Sequence, residues 1–296
     1  MKVSLFVNHR CNLRCVYCYN GQEFDRRMPW DIARRAIDFG LDNSKKGYLL
    51  LSFFGGEPLL EIELMEKAVD YAAAEARKRE KRLFLSLSTN GTLLDSRRLD
   101  FLRRHDFNVQ VSFDGVAEAQ DTTRRFPNGN SSHRKVDSHV RQLLEAGFAL
   151  RVISVIDPRT VHLLGDSFEY LMDLKVPHIY FAPNYLGDWE EDACDRFEAA
   201  LAGDGRAGAA LGPVGKVEVL ELGAGLRPGD GAGELGGHLS LLVDGAYDRF
   251  AAGLELLPGL GAVDDRLDLH LVEAAGRLLA VAGDEGDGGA VLVEGE

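Results

Sequence analysis

The chain has 296 residues, 45% of them apolar and 27% charged, which gives it room for a large core and excludes a fibrous or wholly disordered polymer. A net charge of -13 argues against a nucleic-acid binder held by phosphate contacts, and no apolar run approaches the ~20 residues that span a bilayer, so no membrane association is expected. Met1–Val7 is too short for a secretory signal, so the four cysteines, three of them within eight residues, read as a metal or cofactor site in a reducing cytoplasm rather than a disulfide framework.

Apolar β-branched or aromatic runs alternate with amphipathic stretches from the N-terminus onward. Lys2–Val7 reads as a strand, and the loop after it carries Cys11-Asn12-Leu13-Arg14-Cys15-Val16-Tyr17-Cys18. Three thiolates spaced in this way can ligate three irons of a cubane cluster and leave the fourth open. A structural zinc site is the alternative; its fourth ligand would have to be Cys194 or a histidine. Pro29–Leu41 reads as a helix with proline near its first turn. Tyr48–Phe54 reads as a strand that runs into Phe54-Gly55-Gly56-Glu57-Pro58-Leu59. The two glycines let the backbone approach a ligand closely, and their carbonyls and the Glu57 carboxylate can accept hydrogen bonds from an ammonium. The plainer alternative is a turn with Pro58 opening the helix Leu59–Arg79. Next come the strand Leu83–Ser88 and the turn Thr89-Asn90-Gly91, where Asn90 is either an ordinary turn residue or faces a cofactor. The helix Ser96–Arg104 leads to the strand Val109–Phe113, which ends in Ser112-Phe113-Asp114-Gly115 with Ser112 and Asp114 on one face. Asp114 is expected to order the loop beside Gly115. Helix Lys135–Ala146, strand Ala149–Ile156, helix Val161–Leu174 and strand His178–Ala182 complete the pattern. Such short apolar strands suit a parallel sheet buried on both faces, either doubly wound or a partial barrel, with its chemistry at the C-terminal ends of the strands. Cys194 reads as a small buried hydrophobe, and the eight histidines show no metal spacing.

In their order, these motifs resemble those of the radical S-adenosylmethionine superfamily. Within it the chain is most similar to the SPASM-type peptide and protein maturases, which resemble anaerobic sulfatase maturases. The likeness runs from about Lys2 to Pro183. It implies an α/β fold with a partial (β/α)6 TIM-like barrel over residues 1–185, followed by a connecting helix or linker at 186–202. It also implies one [4Fe-4S] cluster on Cys11, Cys15 and Cys18, with the open iron chelated by the amino and carboxylate groups of S-adenosylmethionine. By the same resemblance Gly56 and Glu57 hold the methionyl amino group, and Ser112 binds the ribose or the carboxylate. Arg124 matches the arginine that pairs with the carboxylate, with Arg125 the adjacent alternative. Tyr17 meets the adenine by ring or backbone. The implied activity is reductive cleavage of S-adenosylmethionine to a 5′-deoxyadenosyl radical, which abstracts hydrogen from a peptide or protein substrate. The electron comes from an external reductant of flavodoxin or ferredoxin type. The alternatives are a single-cluster enzyme acting on a small molecule, and a truncated protein that binds a cluster without turnover.

Residues 203–296 differ from the rest. They hold 22 of the 33 glycines and 17 acidic residues against 6 Lys and Arg, so the acidity belongs to this Gly/Ala-rich, poorly specified segment and not to the barrel. Apart from Lys216, Ser240, Tyr247 and Phe250, every residue there has a codon beginning with G or C. That is the signature of a GC-rich gene read one base out of frame, with the frame lost near residues 198–206. The alternative is a genuine acidic domain, in which Val217–Leu222 and Leu267–Val272 alternate like strands. The maturases usually continue into a cysteine-rich domain for auxiliary clusters, whereas no cysteine follows Cys194 here.

Overall fold

The computed structural model describes residues 1–18 and 25–202, and beyond them five short strands. Six parallel strands form the centre: β1 (Lys2–Phe6), β2 (Tyr48–Phe54), β3 (Arg82–Thr89), β4 (Phe107–Ser112), β5 (Arg151–Ile156) and β6 (His178–Pro183). They pair in sequence order, β1 to β2 and on to β6, each step crossing over through helix. This is the partial barrel arrangement of an α/β fold, and it sends all six C-terminal ends to one mouth. Alternate residues of the strands form a fully buried apolar face, while Ser4 and Ser52 are buried on the other. Leu49, Leu51 and Phe53 of β2 are fully buried, as are Val3 and Leu5 of β1.

The helices are α1 (Trp30–Asn43), α2 (Ile62–Lys78), α3 (Ser96–Arg104), α4 (Ala117–Thr123), α5 (His133–Glu145), α6 (Leu164–Asp173) and α7 (Glu191–Ala202). α1 buries Ile32, Ala33, Ala36, Ile37, Gly40 and Leu41, a helical stripe laid on β1 and β2. α3 is capped by Asp95, whose carboxylate accepts from the Arg98 amide at 2.9 Å.

Two expected helix starts shift. Pro58–Glu61 is a 3-10 turn ahead of α2, and Val161–Leu163 is another ahead of α6. Within residues 1–202, two elements were not expected at all. One is the short helix α4; the other is a two-residue ladder pairing Arg14 with Arg125 and Cys15 with Arg124.

The five later strands are β7 (Val217–Val219), β8 (Leu241–Val243), β9 (His270–Ala274), β10 (Arg277–Val281) and β11 (Ala290–Glu294). β11 lies antiparallel on β1, β8 antiparallel on β6 with β7 beyond it, and β9 pairs with β10. The remainder of 203–296, and with it the question of frame, lies outside the described residues. Among the described residues no helix is long and apolar enough to cross a membrane.

Candidate cofactor site

The loop after β1 carries the three cysteines across the mouth, and the turn after β2 is built to receive it. Gly56 N–H donates to the Asn8 carbonyl and Glu57 N–H to the Arg10 carbonyl, each at 3.0 Å, while Asn8 Nδ2 donates back to the Glu57 carbonyl at 3.0 Å. A Cβ on Gly56 would stand 2.3 Å from the Arg10 carbonyl oxygen, and one on Gly55, whose φ is +135°, 2.4 Å from that of Asn8. The sequence led us to expect glycines that let a ligand approach the backbone. What approaches here is the backbone of the cysteine loop itself, close enough that no side chain fits between.

Glu57 is fully buried. One carboxylate oxygen accepts from the Leu59 amide at 3.0 Å and the Thr89 hydroxyl at 2.7 Å; the other accepts from the Asn90 amide at 2.7 Å. Burial pushes its pKa up, against the pull of those three donors. The carboxylate thus ties the turn after β2 to the end of β3.

Asn90 sits at that end and reaches the cysteine loop. Its Nδ2 donates to Asn12 Oδ1 at 2.8 Å and lies 3.5 Å from the Cys11 sulfur, which also receives the Leu13 amide at 3.4 Å. Thr92 closes the network, donating to Asn90 Oδ1 at 2.7 Å and accepting from Asn12 Nδ2 at 2.8 Å. Burial pushes the Cys11 thiol up to about 12, with the Leu13 amide opposing it.

The other side of the loop is held from β4. Asp114, buried just past the strand, is a hub. Its Oδ2 accepts from Thr123 Oγ1 at 2.7 Å, from Arg124 Nε at 2.9 Å and from the Tyr17 hydroxyl, and its Oδ1 from the Val155 amide of β5 at 2.9 Å. The guanidinium of Arg124 lies 4.9 Å over the Tyr17 ring, and its Nη1 stands 4.0 Å from the Cys15 sulfur. Val16 N–H donates to the Thr123 carbonyl at 2.9 Å beside the Cys15–Arg124 pairing. Burial raises the Cys15 pKa and Arg124 opposes it; burial also raises the Tyr17 phenol well above its ordinary value. Arg125 points elsewhere, to the Asp121 and Gly129 carbonyls, and is exposed. Cys18 is exposed and Ser112 occupies the last position of β4, opposite Ile153. The site therefore joins Cys11 to Asn90, and Cys15 to Tyr17 and Arg124, with Gly56 and Glu57 beneath.

The mouth is completed by residues the sequence reading did not select. Asp157, fully buried after β5, accepts from Arg159 Nε at 2.7 Å and Nη2 at 2.9 Å and from Asn184 Nδ2 at 2.9 Å. Their signal was position alone: each follows a parallel strand at its C-terminal end.

The donor set fits an iron–sulfur cluster. None of the three cysteines forms a disulfide, and N–H groups address two of their sulfurs. Among the described residues no three His, Cys, Asp or Glu side chains converge on one point as a single ion requires. A cubane is several ångströms across and takes each thiolate at a separate iron.

The sequence matches the radical SAM superfamily over residues 5–171. The chain belongs to the radical SAM superfamily. Among its relatives are a serine-type anaerobic sulfatase-maturating enzyme of Bacteroides thetaiotaomicron, 26% identical over 58% of this chain and 43% of that one, and an Fe-coproporphyrin III synthase of Methanosarcina barkeri, 30% identical over 59% and 42%. The solved structure of anSMEcpe with bound AdoMet and Kp18Cys peptide has the same fold, with a TM-score of 0.61 at 21% identity over 68% of this chain and 58% of that one. The chain spans about half the length of these relatives. The region matched as radical SAM contains every residue of the cysteine loop and of the Glu57, Asn90 and Asp114 networks.

Proposed function

We propose that the chain is a radical S-adenosylmethionine enzyme that modifies a peptide or protein in a reducing, cytoplasmic setting. The observation that carries this is the cysteine loop, gripped from beyond the ends of β2, β3 and β4 in a chain of this superfamily. Cys11, Cys15 and Cys18 would hold one [4Fe-4S] cluster, and Gly56, Glu57, Asn90, Ser112 and Tyr17 stand where S-adenosylmethionine would bind. When bound, these groups supply one-electron cleavage of the sulfonium and hydrogen abstraction from a carbon of the substrate. The chain's own residues fix the loop and place N–H donors at the sulfurs. With its carboxylate engaged by three donors, Glu57 offers an ammonium its remaining lone pair, and Gly56 its carbonyl. The electron would come from an external flavodoxin- or ferredoxin-type reductant. The sulfatase-maturating relative and the peptide-bound anSMEcpe structure support a peptide substrate. The Fe-coproporphyrin III synthase relative favours a second reading, a small-molecule substrate.

The test is anaerobic reconstitution of the full chain with iron and sulfide, then dithionite and S-adenosylmethionine. 5′-Deoxyadenosine should form, and Cys15→Ala should lose both the cluster and the product. Equal turnover in that variant would reject the cysteine site. Peptide and porphyrin precursors added to the same assay separate the two substrate readings.

A further inference from the structure

The six barrel strands contain Lys2, Arg82 and Arg151 but not one aspartate or glutamate, in a chain whose net charge is -13. The carboxylates of the mouth, Glu57, Asp114 and Asp157, lie past the strand ends and are engaged there. Arg151 opens β5. The next residue, Val152, is fully buried against the helices, so by alternation Arg151 stands with Ile153 and Val155 on the concave face of the barrel, where it is half-buried. The register sets Gln110 of β4 on one side of it and His178 of β6 on the other, each strand about 4.8 Å away. Gln110 is fixed by Ser88, to whose hydroxyl its Nε2 donates at 3.0 Å. Among the described residues the Arg151 side chain has no hydrogen bond or ion pair. A guanidinium partly withdrawn from water, with hydrogen-bonding neighbours and no carboxylate on its own or either adjoining strand, is a receptor for an anion.

The place of this row in the barrel gives the anion its source. Gln110 precedes Ser112 by two residues on the same face, so the row crosses the barrel about 7 Å beneath the level of Ser112. We propose that Arg151 binds a carboxylate of the substrate, an aspartate or glutamate side chain of a peptide, and so draws an acidic segment beneath the cofactor. This deepens the reading above and rests on it, since Ser112 marks the cofactor's place. The concave face beside Arg151 favours a peptide over a tetrapyrrole. Ser4, Ser52, Ser86 and Asn108 pair side by side across β1 to β4 on that face. Their hydroxyls and amide suit peptide groups, whereas a tetrapyrrole requires apolar surface. Arg151 is thus a specificity residue for acidic peptides.

The test uses the reconstituted full chain with S-adenosylmethionine and two pools of capped hexapeptides. Both pools are random but for one central residue, Glu in one and Gln in the other, and neither has acidic residues elsewhere. Peptides retained in anaerobic equilibrium dialysis are counted by mass spectrometry. The wild type should retain the Glu pool about tenfold better than the Gln pool, Arg151→Gln should abolish that preference, and Arg151→Lys should keep part of it. Equal retention of the two pools by the wild type, or a preference that survives Arg151→Gln, overturns the proposal. Should the variants not fold, phenylglyoxal, an arginine reagent, decides on the unmutated protein. The Glu pool should slow its addition to Arg151, read by peptide mapping, and the Gln pool should not; equal rates overturn the proposal. Coproporphyrin III is a third arm, and protection of Arg151 by the porphyrin but not by the Glu pool would give the carboxylate to a small molecule and overturn the peptide assignment. A wild-type chain that forms no 5′-deoxyadenosine with dithionite would refute instead the reading on which the proposal stands.

Discussion

Glu57 and Asp114 are buried carboxylates, and a buried carboxylate is tolerated only where its hydrogen bonds are complete. Glu57 meets that condition with Leu59, Thr89 and Asn90. Removing the carboxylate leaves three buried donors without an acceptor, so Glu57→Ala should destabilise the apoprotein by about 3 kcal/mol or more, read from urea unfolding. The pH dependence has a definite sign. Burial raises the folded pKa above the ordinary 4.5, so the folded chain binds this proton more tightly than the unfolded one. The stabilisation is full below about 4.5 and is lost as pH rises through the raised value. Wild type should therefore lose stability relative to Glu57→Gln as pH rises from 4.5 toward neutrality; the opposite slope would mean that the three donors outweigh burial. The sequence singled out Glu57 by its motif and Arg124 by the resemblance. It did not show their partners, since Thr89 and Asp114 are chosen by the meeting of different strands, which no local pattern records.

At the scale of elements, the hydrophobic pattern gave the six strands and the five longest barrel helices to within about three residues, because burial of alternate strand residues and of one helix stripe leaves a period in the sequence. It missed α4, whose seven residues Ala117–Thr123 are too few and too polar to show one. It also missed the Cys15–Arg124 ladder, a two-residue pairing across more than a hundred positions. The contact that matters most between elements is the packing of the turn after β2 on the cysteine loop. Gly56→Ala would place its Cβ 2.3 Å from a backbone oxygen, an atom that cannot swing aside as a side chain would. The loop must move or the turn must open, at a cost of about 1–3 kcal/mol. Iron bound per chain after reconstitution should fall along with the thermal midpoint. Normal iron with only a lower midpoint would show that the loop tolerates the shift.

Across the whole barrel, one polar side chain follows each strand and is buried at the mouth: Asn8, Glu57, Asn90, Asp114, Asp157 and Asn184 after β1 to β6 in turn. Each bonds to a neighbouring strand end or loop, Asn8 to Glu57, Glu57 to Asn90, Asp114 to Val155 and Asp157 to Asn184. The mouth is thus a hydrogen-bonded rim, and the cysteine loop is woven into it at Asn8, Asn90 and Asp114. A ligand held there should stabilise the barrel as a unit rather than a single loop. At a hundred times its dissociation constant, a ligand adds about 2.7 kcal/mol. For a body of roughly 200 residues that is a rise of about 5–10 °C. Adding S-adenosylmethionine to the anaerobic, cluster-loaded chain should therefore raise the unfolding midpoint seen by circular dichroism by about that amount. A midpoint that stays put, while residues 11–18 gain protection from protease, would mean that the loop binds its ligand independently of the rim.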